Sequence, residues 1–193
     1  MNQDQLQALL TKVQQGALAV PDALHRLRTL PYENLGFASL DHHRALRQGF
    51  PEVIFCEGKT VSQVVAIAKT LLRKNNALLA TRVEPSVARA LLRVSKRAVY
   101  HEAARVVAIA PPKLVRRGAV LIVTAGTADI PVAEEARVTA DIMGSKTDTL
   151  YDVGVAGLHR LLGQQERLHD ARALIVVAGM DGVLPSVVGG LVR

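Results

Sequence analysis

Apolar residues set two different rhythms along this chain. Leu6, Leu9, Leu10 and Val13 recur at helical spacing, with Gly16 suited to end the helix. A second helix is predicted over 22–30, stopped by Pro31. Residues 34–49 lose the pattern and read as a basic, histidine-containing loop or irregular stretch, and a short strand follows at 51–55. Thr60 and Gln63 have the spacing of a capping box, and Val61, Val64, Val65, Ala68, Leu71 and Leu72 form the apolar face of the helix it opens. A strand at 77–83, a helix from Pro85 to about residue 94 and a strand-containing segment at 99–109 complete a small α/β or α+β domain, residues 1–112. Pro111 and Pro112 close it.

Residues 113–193 are more regular. The continuous aliphatic run at 119–123 is the pattern of a strand buried on both faces. A turn and a helix follow, with Pro131 suited to the helix start and Glu134 and Glu135 placed to interact with the positive end of its dipole. Next come a strand near 149–153, a short helix from Gly157, a second buried strand at 173–177 and a helix opened by Pro185. Strand and helix alternate throughout, which predicts a parallel sheet with right-handed crossovers.

Composition narrows the function classes. The chain has 193 residues, 49% hydrophobic and 21% charged, enough aliphatic surface to oppose disorder. The start carries acidic and amide residues where a secretory signal needs a basic cluster, and uncharged apolar runs stay short of a membrane span, so a cytoplasmic protein without membrane partners is expected. One cysteine, Cys56, excludes an internal disulfide framework and a cysteine-rich zinc cluster. A net charge of +7 and a pI near 10.0 favour an anionic partner. Nucleic acid is disfavoured: aromatics are only 3%, leaving little surface for base stacking. The basic residues are also scattered, among them Arg26, Arg28, Arg44, Arg47, Arg73 and Lys113, as on a solvated surface.

Three loops leave the carboxyl ends of the predicted parallel strands, the edge where ligands collect in open α/β sheets. The loop carrying Gly126, Thr127 and Asp129 joins a buried strand to a helix, where free N–H groups favour an anion. The plainer alternative is that Thr127 or Asp129 only caps the helix. The Walker A lysine is absent. His159 beside Arg160 follows the second strand, and a histidine there could move a proton near a phosphate or be merely exposed. Gly179 and Asp181 follow the third. The stretch from Met143 through Gly144 and Lys146 to Asp148 looks like another phosphate loop but follows a helix and precedes a strand, which puts it on the opposite edge. Gly144 reads as a helix stop and Lys146 as surface.

Four phrases carry a resemblance. Thr124-Ala-Gly-Thr-Ala-Asp129-Ile-Pro-Val-Ala-Glu-Glu-Ala136, Asp152-Val-Gly-Val-Ala-Gly-Leu-His-Arg160, Val177-Ala-Gly-Met-Asp-Gly-Val-Leu-Pro-Ser-Val-Val-Gly-Gly190 and Arg47-Gln-Gly-Phe-Pro-Glu-Val-Ile-Phe-Cys-Glu-Gly-Lys-Thr60 resemble the pyridinium-3,5-biscarboxylic acid mononucleotide synthase family, LarB, of nickel-pincer cofactor biosynthesis. Residues 113–193 also resemble, more distantly, aminoimidazole ribonucleotide (AIR) carboxylases and mutases.

The resemblance implies a small N-terminal domain followed by the first part of a three-layer, flavodoxin-like parallel-sheet carboxylase domain. It implies carboxylation of the pyridinium ring of nicotinic acid adenine dinucleotide, with CO2 or bicarbonate as co-substrate and phosphoanhydride hydrolysis releasing AMP. No tightly bound organic cofactor is implied, a divalent cation such as Mg2+ is compatible, and a homo-oligomer is expected. Carried across, Gly126, Thr127 and Asp129 would hold phosphate or ribose, with Gly179 on the same edge, while His159 and Arg160 would face the reacting nucleotide. Asp181 would bind ribose, metal or water, or simply start a helix. Arg44, Arg47 and Lys59 would add charge around the substrate, or remain solvated. Family members carry a reactive cysteine beyond the point matching Arg193, and Cys56 reads as a small buried residue rather than its substitute. An AIR carboxylase or mutase, or a non-catalytic nucleotide-binding module, are the competing functions.

Overall fold

The computed structural model describes residues 3–27 and 32–192. The expected stop at Pro31, Leu30 and the basic residue Arg28 lie outside them, as does Arg193.

Helices α1 (Gln3–Gln14) and α2 (Val20–Leu27) open the chain. The stretch expected to be irregular is instead an antiparallel hairpin, β1 (Tyr32–Asn34) and β2 (Ser39–Asp41), followed by α3 (Arg44–Gln48). Asn34 Oδ1 accepts the Gly36 N–H at 2.7 Å, Gly36 turns at φ 84°, and Leu40 is buried beneath. Tertiary partners hold this polar segment: buried His42 meets Glu33 at 3.0 Å, and Arg73 reaches the same carboxylate at 2.9 Å. No local apolar rhythm encodes such partners.

The first large sheet is mixed, in the order β3 (Ile54–Phe55), β4 (Leu78–Thr81), β6 (Val106–Ile109), β5 (Val99–His101), with only the β3–β4 pair parallel. Helix α4 (Val61–Lys74) starts at the expected capping box, since Thr60 Oγ1 accepts from Gln63 N and Gln63 Oε1 accepts from Thr60 N. Helix α5 (Pro85–Val94) begins at its proline. Their apolar faces, including Val64, Leu71, Val87 and Leu91, pack with Leu78, Ala80, Val107 and Ile109.

The second sheet is wholly parallel, with order β8 (Ser145–Leu150), β7 (Arg117–Thr124), β9 (Ala173–Val177). Central β7 buries Leu121, Ile122, Val123 and Thr124. Strand β8 lies earlier than its expected place near 149–153. It is an edge strand whose side chains alternate between half-buried and exposed, so it shows no aliphatic run. Residues 145–148, read above as a loop, are therefore strand; Gly144 alone supplies the turn, at φ 95°, and Lys146 is exposed. Helices α7 (Leu158–Leu162), α8 (Gln165–Asp170) and α9 (Val183–Leu191) follow, and Leu161, Leu168, Leu184 and Val188 close a core with Leu121 and Val123.

Helix α6 (Ile130–Ile142) packs on both sheets. Its Val138 and Ile142 bury against Leu79, Val106 and Ala108 of the mixed sheet. The two glutamates expected to serve the helix dipole have specific partners: Glu134 pairs with Arg137 at 2.8 Å and Glu135 with Arg82 at 3.0 Å. The architecture is mixed α/β with a flavodoxin-like parallel sheet. Among the described residues, no helix is long and apolar enough to cross a membrane.

Candidate functional site

The strand order β8–β7–β9 makes the gap between β7 and β9 a switch point, because the chain leaves β7 to one side for β8 and to the other for β9. Ligands in such sheets sit outside the carboxyl ends of the strands at that point. A cavity of about 510 Å3 opens there, within the range of small-molecule sites. Its lining includes Gly126 and Asp129 from the loop after β7, Gly154 and Arg160 from the segment after β8, and Gly179 and Asp181 from the loop after β9.

Close backbone packing joins the three loops. Ala125 N–H donates to Val177 carbonyl at 3.1 Å, tying the first loop to β9. Buried Thr124 does the same toward β8: its Oγ1 accepts Asp152 N–H at 3.0 Å and its carbonyl accepts Val153 N–H at 3.0 Å. Gly154 N–H donates to Ala125 carbonyl at 2.8 Å. The cavity floor is thus backbone cross-linked through one threonine and one glycine.

Within the first loop, Asp129 Oδ2 accepts Gly126 N–H at 2.9 Å. Asp129 makes no side-chain cap on α6, so its carboxylate shapes the loop and takes the Gly126 N–H itself. Its Oδ1 lies 3.4 Å from where a Cβ on Gly179 would stand, so the two loops meet at these residues. Thr127, in the turn between, is exposed and outside the cavity lining. Asp181 is exposed at φ 55°, and Gly182, not Asp181, occupies the cap position of α9. Met180 projects from the rim, 94% exposed.

Arg160 lines the cavity from α7, and its Nη1 donates to Asp152 Oδ2 at 2.6 Å. His159 is on the same helix, exposed and outside the lining. Arg44, Arg47 and Lys59 are also outside it. Arg47 pairs with Asp41 at 2.6 Å, and Lys59 Nζ donates to Phe55 carbonyl at 2.7 Å. Cys56 is buried, and burial pushes its thiol up to about 11. A separate cavity of about 210 Å3 at the amino ends of the strands takes Lys146, Asp148 and Arg167, so the Met143–Asp148 stretch belongs to the other edge.

Reasoning from the sequence left Thr124, Asp152 and Gly154 without roles and read Gly157 only as a helix start, which it is, at the cap position of α7. A hydroxyl at the end of an aliphatic run was the one available signal, since a buried polar group needs a partner. The glycines and Asp152 act through contacts that spacing does not encode.

Residues 32–111 match the family model described as the LarB/PurE-like N-terminal domain. The chain is also 34% identical over 198 residues to the "Uncharacterized protein MJ0165" of Methanocaldococcus jannaschii, an alignment covering 97% of this chain and 77% of that protein. The family match falls on the mixed-sheet region, whereas the relative extends through the cavity-bearing parallel sheet. The chain therefore belongs to the LarB/PurE-like family of the AIR carboxylase superfamily, whose chemistry is of the carboxylase type.

Proposed function

We propose that this protein serves the carboxylation of the pyridinium ring of nicotinic acid adenine dinucleotide, with phosphoanhydride hydrolysis releasing AMP, in nickel-pincer cofactor biosynthesis. The observation that carries this reading is the switch-point cavity, which puts a guanidinium, two carboxylates and three glycines around one space. Arg160 is a fork suited to phosphate oxygens. Asp129 and Asp181 are acceptors for ribose hydroxyls, and Gly126 and Gly179 let a sugar or phosphate approach the backbone. The net charge of +7 suits a dinucleotide. His159, beside Arg160, is the candidate proton carrier, and Arg44, Arg47 and Lys59 are assigned an outer, electrostatic part.

In the proposed reaction a thiolate adds to the pyridinium ring, and the ring carbon made electron-rich attacks CO2. That carbon then loses its proton to a base and the thiolate is expelled; separately, water attacks the phosphoanhydride and AMP departs. Cys56 is not that thiolate, because it is buried, its thiol is neutral at physiological pH, and it is not in the cavity lining. The cavity residues would bind and orient, and the covalent step would need a cysteine other than Cys56, as the family resemblance implies. Among the described residues, no three His, Cys, Asp or Glu side chains cluster to hold a metal ion, and no step is assigned to one.

Selective thermal stabilisation by nicotinic acid adenine dinucleotide is the expected result. Stabilisation by aminoimidazole ribonucleotide instead would favour the purine-pathway reaction, and stabilisation only by unrelated nucleotides would favour a binding module. Sedimentation equilibrium tests the accompanying expectation of a homo-oligomer.

A further inference from the structure

We propose that Asp152 is the positioning residue that sets the Arg160 guanidinium for a phosphate, and that Gly157 is the opening that admits it; this rests on reading the cavity as a phosphate-ester site. Asp152 sits at φ 58°, a left-handed conformation that side-chain-bearing residues seldom adopt. Fully buried Thr124 holds it there, through its hydroxyl to Asp152 N–H and its carbonyl to Val153 N–H, both at 3.0 Å. Asp is among the residues that tolerate this conformation, and here a buried hydroxyl fixes it beside the cavity.

From that position Asp152 takes Arg160 Nη1 at 2.6 Å. The other side of the guanidinium fills the space that a side chain at position 157 would occupy. A Cβ built on Gly157 would lie 2.7 Å from Arg160 Nε and 3.1 Å from Nη2. The fork is therefore tethered at one nitrogen and seated over bare backbone at the others. Among the described residues the guanidinium makes this one hydrogen bond, so its remaining donors are available to an anion. The side chains of the pair are 40% and 49% exposed, so the ion pair itself adds little to folding stability, and its consequence is where the cation stands.

Two effects of Asp152 have opposite sign. Its charge repels an incoming phosphate, while its tether presents Arg160 to that phosphate. The inference is that the tether dominates. Calorimetric titration of the whole chain with inorganic pyrophosphate and with AMP decides it. Arg160→Ala should weaken binding roughly tenfold or more, and Asp152→Ala roughly three- to tenfold, as expected for losing or misplacing a charge-assisted hydrogen bond. Asp152→Asn keeps an acceptor for Nη1 and removes the repulsion, so it should bind at least as tightly as wild type. Gly157→Ala keeps both charges but puts a methyl 2.7 Å from the Nε position, so the guanidinium must move off its seat and binding should weaken, by less than for Arg160→Ala. Gly157 has φ −125°, so alanine meets no left-handed penalty there.

Binding by Asp152→Ala as tight as or tighter than wild type, with Arg160→Ala impaired, would show that Asp152 only competes for the cation and would overturn the inference. Unimpaired binding by Gly157→Ala would overturn it too. A wild-type chain that binds neither probe would instead overturn the reading of the cavity itself, and the inference with it.

Discussion

A methyl group built on Gly154 would lie 2.6 Å from the carbonyl oxygen of Ala125, the same oxygen that accepts the Gly154 N–H at 2.8 Å. The obstacle is backbone, not a side chain that can swing aside, so the loops after β7 and β8 can approach this closely only with glycine at 154.

Gly154→Ala should therefore destabilise the protein by about 1–3 kcal/mol, the usual cost of overpacking. Gly190→Ala is the matched control: it lies in α9 with nothing within 4 Å of its Cβ position and no positive φ. That substitution should stabilise by about 0.5–1 kcal/mol through helix propensity. Denaturant melts of both variants give the comparison, and a Gly154→Ala protein as stable as wild type would contradict the close approach.

Thr124→Val keeps the shape of a fully buried side chain and removes the acceptor of the Asp152 N–H. The expected loss is about 1–3 kcal/mol, the penalty for a donor left without its partner. Amide exchange at Asp152 should accelerate more than at core positions of β7. Uniform acceleration along the sheet would assign the threonine a general packing role instead.

Glu134 gives the protein an acid-sensitive joint. Its side-chain bonds to Arg137 hold the carboxyl below its ordinary value of 4.5 against the opposing effect of burial, and the Tyr151 hydroxyl adds to the lowering. A folded value lower than the unfolded one means the contribution is complete above about pH 4.5 and fades as pH falls through the lowered value. Wild type should exceed Glu134→Gln by about 1–2 kcal/mol near neutrality, and the difference should shrink below pH 4. Melting curves across that range check the sign, and a gap that widens on acidification would refute it.

Cys56 should be inert in the folded protein. With the thiol raised to about 11 and buried, almost no thiolate exists at pH 8. Alkylation at that pH should be slow in the native state and fast after denaturation, as mass spectrometry of the labelled chain would record. Rapid native labelling would reopen Cys56 as a nucleophile.

Asp129→Ala and His159→Ala should separate binding from turnover in an assay of the proposed carboxylation. Asp129 touches both Gly126 and the Gly179 side of the cavity, so its loss should raise KM. His159 is outside the lining, so its loss should change KM little, and if it carries the proton as proposed, kcat should fall. Steady-state kinetics on both variants discriminate these effects; unchanged kinetics in both would remove them from the site.

Elements built by short-range rules could be read along the chain. The aliphatic run in β7 marks a buried parallel strand and that in β9 a parallel strand that is half-buried rather than buried, while Thr60 and Gln63 mark the start of α4 and Pro85 marks α5, because caps, fixed φ and strand burial act within a few residues. The edge bearing Gly126, Arg160 and Gly179 was legible for the same reason, since strand–loop–helix order puts successive loops at one end of a parallel sheet. Tertiary structure alone decided the rest. Ser145–Leu150 is a strand because β7 offers its ladder, and the 34–49 stretch is ordered by partners such as Arg73, 40 positions from Glu33. Strand order, not spacing, brought Thr124 to Asp152 and Ala125 to Gly154, and it was the turn of α7 that put Arg160 into the cavity and left His159 outside its lining. These contacts join residues distant in the chain, and their geometry exists only once the sheet has assembled.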